Sequence, residues 1–238
     1  MSVPIEDLPS PNYSSREGTP ITLVVLHYTG MPSAEEALDR LRDPEAGVSS
    51  HYFIEQDGRI VRLVDEKDRA HHAGLGAWGP VRDVNSASIG IEIVNKGHLW
   101  GYEDFPDLQI DALIGLMTEI YRRHRLGPLA AIAHSDLAPA RKDDPGERFP
   151  WDRLAASRLA IGQWHPGEDP PPPDYDDSLT QLTEIGYGLD RSFPVPAVLA
   201  FQRRFAPRLL GQALSPATRQ AIRWVHGQVI AERLRPGP

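Results

Sequence analysis

Two histidines stand where folding alone does not require a polar side chain. His27 sits near the end of the apolar run ITLVVLHY (21–28), and His134 closes LAAIAH (129–134). Each is either a hydrogen-bonded core residue or a ligand at a strand end, where open α/β sheets bind small molecules. Asp144 stands directly before Pro145-Gly146, a turn that can aim a carboxylate backward. Two imidazoles and one carboxylate make a three-ligand zinc set with a fourth position open to water. Since 107 residues separate the histidines, only a tertiary fold can bring them together.

Glu92 is the second candidate. In SIGIEIVN (88–95), strand alternation puts Ile89, Ile91 and Ile93 on one face and Gly90, Glu92 and Val94 on the other. A carboxylate in so apolar a strand is either salt-bridged or functional. Burial would raise its pKa toward neutrality, which suits general acid–base work, and Gly90 leaves room beside it. Lys142 is its natural cationic partner; the other reading is a solvated loop lysine. A third constellation is the loop AHHAGLGAWGPVRDVN, where His71, His72, the glycines and Trp78 suggest a substrate-facing groove with an apolar platform.

These residues need a scaffold of alternating elements. ITLVVLHY reads as a strand covered on both faces. Ser33 with Glu36 forms a capping box opening a helix through Leu41. HYFIE and RIVRLV flank Asp57-Gly58 as a hairpin. Ser88 to Asn95 is a strand, Leu108 to His124 a helix, Leu129 to His134 a short buried strand and Asp152 to Trp164 another helix. The fold class is therefore α/β, a mixed central sheet flanked by helices. Pro170 to Pro173 mark a stiff linker over 167–177 between a domain at 1–166 and a small three-helix domain at 178–238. Its last helix is capped by Ser215, with Pro216 at the first position. From Ser178 onward eight Arg face three acidic residues, a net +5 against −13 before it.

Composition removes whole classes. The 238 residues contain no Cys, so disulfides, thiolate nucleophiles and Cys-held metals are excluded. A net charge of −8 argues against nucleic acid as a partner. No stretch approaches the ~18 apolar residues of a membrane span. The opening residues lack the regions of a secretory signal, so a cytoplasmic protein is expected, with the periplasm as alternative. A serine hydrolase on His134-Ser135-Asp136 is excluded because adjacent residues cannot form a triad.

Taken together, LHYTG, HYFIEQDGRIVRLV, HHAG, N-S-A-SIGIEIVN and AHSDLAPARKDDPGERFPW resemble the zinc-dependent N-acetylmuramoyl-L-alanine amidases of the amidase-2 superfamily, which also holds T7-type lysozymes and peptidoglycan-recognition proteins. The resemblance covers about Ile21 to Trp164 and is greatest to the bacterial branch acting on muropeptides and anhydro-muropeptides. It implies that His27, His134 and Asp144 hold zinc, Glu92 is the general acid–base and Lys142 stabilises the oxyanion. It places His72, Asn85 and Arg141 in the substrate groove, Arg141 against stem-peptide carboxylates. Peptidoglycan fragments are then the partner, and cell-wall recycling the process. The alternative is a non-catalytic peptidoglycan receptor. The tail resembles a peptidoglycan-binding-like domain through IGYG, AVLAFQRRF and LSPATRQAI, without that family's Asp-Gly-x-x-Gly turns. Since every candidate catalytic residue precedes Trp164, the tail is expected to be an accessory module.

Overall fold

Six residues, Leu23–Tyr28, form a strand paired on both sides, and its two neighbours fix where the polar candidates lie. The computed structural model describes residues 4–167, 169 and 171–235; of the expected linker, Glu168 and Pro170 lie outside the described residues. Strands β1 (Ile5–Asp7), β3 (Leu23–Tyr28), β4 (Tyr52–Ile54), β5 (Ile60–Arg62), β7 (Ser88–Ile93) and β8 (Ala131–Ala133) form one sheet in the order β1-β5-β4-β7-β3-β8. Only the β4–β5 hairpin is antiparallel, so the sheet is mixed as expected. β2 (Tyr13–Ser15) and β6 (Asp68–Ala70) pair separately. β1 and β2 carried no periodic signal.

Parallel register does the positioning. His27 is paired with Glu92 across β3–β7, while Leu26 is paired with Ala133 across β3–β8, placing His134 next to His27. Val24, Leu26, Ile89, Ile91 and Ile93 face α4 (Asp107–His124) and pack on Ile110, Leu113 and Leu116. Leu23, Val25 and Ile132 face the other way, against Ala73 and Leu137. His27 and Glu92 follow this second parity. The remaining helices of this part are α1 (Ala34–Arg42), α2 (Val84–Ala87), α3 (Gly97–Trp100), α5 (His134–Leu137) and α6 (Trp151–Ala156). Ser33 caps α1 as read, its side chain accepting from the Glu36 N–H, while the Glu36 carboxylate accepts from the Ser33 hydroxyl at 3.3 Å.

Two elements differ from expectation. His134 opens α5 rather than ending a strand, because Asp136 Oδ2 accepts from the Ala133 N–H at 2.8 Å and turns the chain into a helix there. The helix expected over 152–164 stops at Ala156: Arg158 turns the chain at φ 58°, and Asp152 Oδ1 accepts from the Gln163 N–H. The released segment then runs to the tail, where Trp164 N–H donates to Phe205 O at 2.7 Å. The tail helices are α7 (Tyr175–Ile185), α8 (Val195–Phe205) and α9 (Pro216–Arg233), around Leu182, Phe201 and Ile222. Asp174 caps α7, so residues 175–177, read as linker, are helical. Among the described residues no helix is long and apolar enough to cross a membrane.

Glu66 ties the hairpin region to the end of α4. It accepts hydrogen bonds from Tyr52 Oη, Arg123 Nη2 and His124 Nε2, each at 2.6 Å. Burial raises its pKa, but the hydrogen bonds from Arg123, Tyr52 and His124 prevail and hold it down at about 2. A depressed carboxyl stabilises the fold fully above its unfolded value and loses that contribution as pH falls through the folded one. Glu66→Gln is therefore predicted to be less stable than the parent at pH 7, with the gap closing as pH falls from about 4.5 toward 2. Denaturant midpoints across that range check it; a gap independent of pH would refute it.

Candidate metal centre

Three donor atoms converge at the C-terminal ends of β3 and β8. His27 Nδ1 lies 2.9 Å from His134 Nδ1, and each is 3.0 Å from Asp144 Oδ2. All three residues are at least 94% buried, with exposures of 2%, 3% and 6%. Around a tetrahedral ion with bonds of about 2.0 Å, ligand atoms stand about 3.3 Å apart, so this triangle fits a small divalent cation. Among the described residues it is the one group of three side chains that could hold a metal. A hollow of about 660 Å³ elsewhere, between Arg125 and Arg158, contains no such group.

The far sides of both rings are already engaged, which turns their Nδ1 lone pairs toward the triangle. His134 Nε2–H donates to Ala73 O at 2.9 Å. Ser88 Oγ–H donates to Val84 O, so it accepts from His72 Nε2–H at 3.1 Å. His72 Nδ1 then accepts from His27 Nε2–H at 3.0 Å. This one-way chain assigns the tautomer of His27 as partners beyond the metal shell do. Burial, then the His134 charge, lowers His27 to about 4, and burial with His27 and His51 lowers His72 well below the usual imidazole range, so both rings are neutral. Burial raises Asp144, but His134 and His27 outweigh it and hold the carboxyl far below its usual range.

The remaining sequence candidates separate into wall and support. Glu92, Lys142, Arg141 and His72 line the same cleft of about 540 Å³ as the triangle. Glu92 Oε2 is buried with no hydrogen-bond partner, and among the described residues Glu92 forms no ion pair with Lys142. Burial first, then Asp144, raises its carboxyl well above the ordinary value of 4.5, against the pull of Lys142. Asn85 does not line the cleft. Its Oδ1 accepts the backbone N–H groups of His72 and Ala73, holding the loop from below. Arg141 reaches across to Ala73 O and Leu75 O while one side of it faces the cleft. His71 also lines the cleft, its ring hydrogen-bonded to Ser14 Oγ and Gly47 O.

Trp78, read as a substrate platform, instead packs edge-to-face on Tyr187 of the tail with centroids 5.0 Å apart. Gly186 makes that approach feasible, because a Cβ there would meet the indole at 2.6 Å. The tail also reaches the segments beside the centre through Arg203 to Asp143 and Arg204 to Asp136. The expected accessory module is thus in contact with segments that carry two of the three donors. Ser135 Oγ is buried without a partner and Asp136 is engaged by the tail, so His134-Ser135-Asp136 forms no triad.

Comparison with known proteins follows from this geometry. The Amidase_2 family model, described as N-acetylmuramoyl-L-alanine amidase, matches residues 17–147. The chain is similar to N-acetylmuramoyl-L-alanine amidase AmiD of Escherichia coli (strain K12), 34% identical over 239 residues, covering 87% of this chain and 84% of AmiD. The structure of E. coli AmiD in complex with the substrate anhydro-N-acetylmuramic acid-L-Ala-D-gamma-Glu-L-Lys superposes with a TM-score of 0.77 at 30% identity, covering 92% of this chain and 98% of that one. AMPDH3 from Pseudomonas aeruginosa, in complex with anhydromuramic pentapeptide, gives 0.79 at 28% identity, with coverage of 93% and 96%.

The hydrogen-bonded chain through His72 makes one position critical. A Cβ on Gly90 would meet the His72 ring at 2.4–2.7 Å, so Gly90→Ala must displace that ring. Losing a partner behind a metal ligand typically costs 10–100-fold in metal affinity. Gly90→Ala is predicted to weaken divalent-metal binding by at least about tenfold, read by titration against a competing chelator. Unchanged affinity would mean that the His72 ring does not set His27.

Proposed function

The chain belongs to the Amidase_2 family of N-acetylmuramoyl-L-alanine amidases, and from that membership we propose that it is a zinc hydrolase of muropeptides. The bond cleaved is the amide between the lactyl carbonyl of N-acetylmuramic acid, or its anhydro form, and L-alanine of the stem peptide, in the recycling of cell-wall fragments. The observation that carries this reading is the convergence of His27, His134 and Asp144 beside an unpartnered Glu92 in one cleft. The ligands present in the AmiD and AMPDH3 complexes support anhydro-muropeptides as the substrate class. Two nitrogens, one oxygen and no sulfur suit zinc, with three protein ligands as catalytic sites have.

His27, His134 and Asp144 would hold the ion, which when bound supplies Lewis acidity toward the carbonyl and toward water. The chain's own residues perform the proton transfers. Glu92, with a raised carboxyl and a free buried oxygen, takes a proton from water as its oxygen attacks the carbonyl carbon. It returns that proton to the L-alanine nitrogen as the C–N bond breaks. The Lys142 ammonium, on the same cleft wall, offsets the negative charge that develops on the carbonyl oxygen. Arg141 receives a stem-peptide carboxylate in this reading, which its position in the cleft lining supports. Asn85 supports the loop through the His72 and Ala73 N–H groups, while His72 both lines the cleft and receives the His27 ring N–H.

Mass spectrometry of products from purified protein given an anhydro-muropeptide tests this directly. Release of the intact stem peptide is expected; binding without hydrolysis would favour the receptor reading. His27→Ala and Asp144→Ala are each predicted to abolish both stoichiometric zinc, by elemental analysis, and cleavage.

Glu92→Gln is predicted to retain zinc while kcat falls about 10²–10⁴-fold. Because burial raises this carboxyl, the parent's kcat/KM should decline on the acid side at a pH above 4.5, and the residual activity of Glu92→Gln should lack that limb. A variant with near-parental kcat would make Glu92 structural.

A further inference from the structure

Helix α8 sends two consecutive arginines in different directions, as successive residues on a helix must go. Arg204 enters the core and is 3% exposed, and Asp136, its partner, is fully buried. Arg204 Nη1 donates to Asp136 Oδ2 and Nη2 to Ala131 O, at 2.8 Å for the second. Its guanidinium lies over the rings of Trp151 and Phe205, at 4.3 and 4.4 Å from their centroids. Tyr187 Oη, also from the tail, donates to Asp136 Oδ1 at 2.6 Å. Asp136 in turn holds the Ala133 N–H, the residue before the donor His134.

Arg203 takes the second donor segment. Its Nη2 lies 2.7 Å from Asp143 Oδ1, and its Nε 3.9 Å from Glu147 Oε2. Asp143 stands between Lys142 and the donor Asp144. The two gripped segments are also joined to each other, because Ser135 N–H donates to Asp144 O at 3.0 Å. Trp78, packed on Tyr187, carries the contact to the loop whose Ala73 carbonyl receives His134 Nε2–H.

We propose that α8 is a working part of the metal centre, with Arg203 and Arg204 as positioning residues for Asp144 and His134. A tail that only packs would rest on its own core, made by Leu179, Leu182, Phe201 and Val225. This tail in addition places a buried Arg204–Asp136 pair two residues from the donor His134 and a half-exposed Arg203–Asp143 pair directly beside the donor Asp144. A buried carboxylate that loses its cationic partner is strongly unfavourable, so the turn at His134 would rearrange if Arg204 were withdrawn. The proposal rests on the metal-centre reading given above, and it assigns the tail a role distinct from any binding of wall polymer.

The more exposed pair supplies the test, since Asp143 is half in solvent and its loss leaves the core intact. Full-length parent, Arg203→Gln, Asp143→Asn, the double variant and Arg203→Lys are titrated with zinc against a competing chelator, and the metal-free thermal midpoint is measured for each. Arg203→Gln and Asp143→Asn should each weaken zinc by about tenfold. The double variant should be no worse than either, Arg203→Lys should recover most of the loss, and the metal-free midpoints should move little. Zinc affinity within twofold of the parent in either single variant overturns the proposal. So do losses that multiply in the double variant, or a lowered midpoint with unchanged affinity. A parent that binds no zinc would refute the metal-centre reading itself, which keeps the two failures apart.

Discussion

Two imidazole nitrogens and a carboxylate oxygen, all within 3.0 Å of one another and all buried, form an arrangement that protons alone satisfy poorly. With Nε2 of each ring donating elsewhere, the two Nδ1 atoms present lone pairs to each other and to the carboxylate. Such a concentration of lone pairs is unfavourable without positive charge at its centre. The rest of the structure can be understood as what holds that unfavourable geometry in place. The sheet supplies rigidity, the loop at Ala73 fixes one ring, and the chain through His72 and Ser88 fixes the other.

The register of a parallel sheet is an economical way to do this. Because β3 is paired on both sides, a single strand end brings His27 beside Glu92 on one flank and beside the His134 turn on the other. A slip of one residue would send His27 to the α4 face, into a hydrocarbon layer of Ile110 and Leu113. The core therefore does more than stabilise. The packing of Ile89, Ile91 and Ile93 against α4 is what forces Glu92 into the cleft.

That logic explains which parts were legible in the sequence. His27, Glu92 and His134 stand out because each is a polar residue in or next to an apolar run, and Asp144 because it precedes a turn. The hairpin at Gly58 and the cap at Ser215 were legible because their signals are local. Asp136 and Arg204 were not. Their ion pair spans 68 residues, and neither has a periodic or compositional signature that predicts burial. Trp78 was misread for the same reason: an aromatic in a glycine-rich loop looks alike whether it meets a sugar or the Tyr187 ring. The helix expected through Trp164 failed because its apolar spacing continues past Arg158, whereas its hydrogen bonds do not.

The burial of Asp136 between Arg204 and Tyr187 has a temporal side as well. A chain emerging from the ribosome offers its N-terminus first, so His27, Glu92, His134 and Asp144 are all in the open while α8 is still enclosed. During that interval Asp136 is an uncovered carboxylate, and the turn that carries His134 lacks one of its two sources of support. The three donor residues are therefore synthesised before α8, and the pair that braces the His134 turn closes only after residue 204 has docked. The surroundings of the candidate centre are thus completed late in synthesis of the protein, although His27, His134 and Asp144 all precede residue 145.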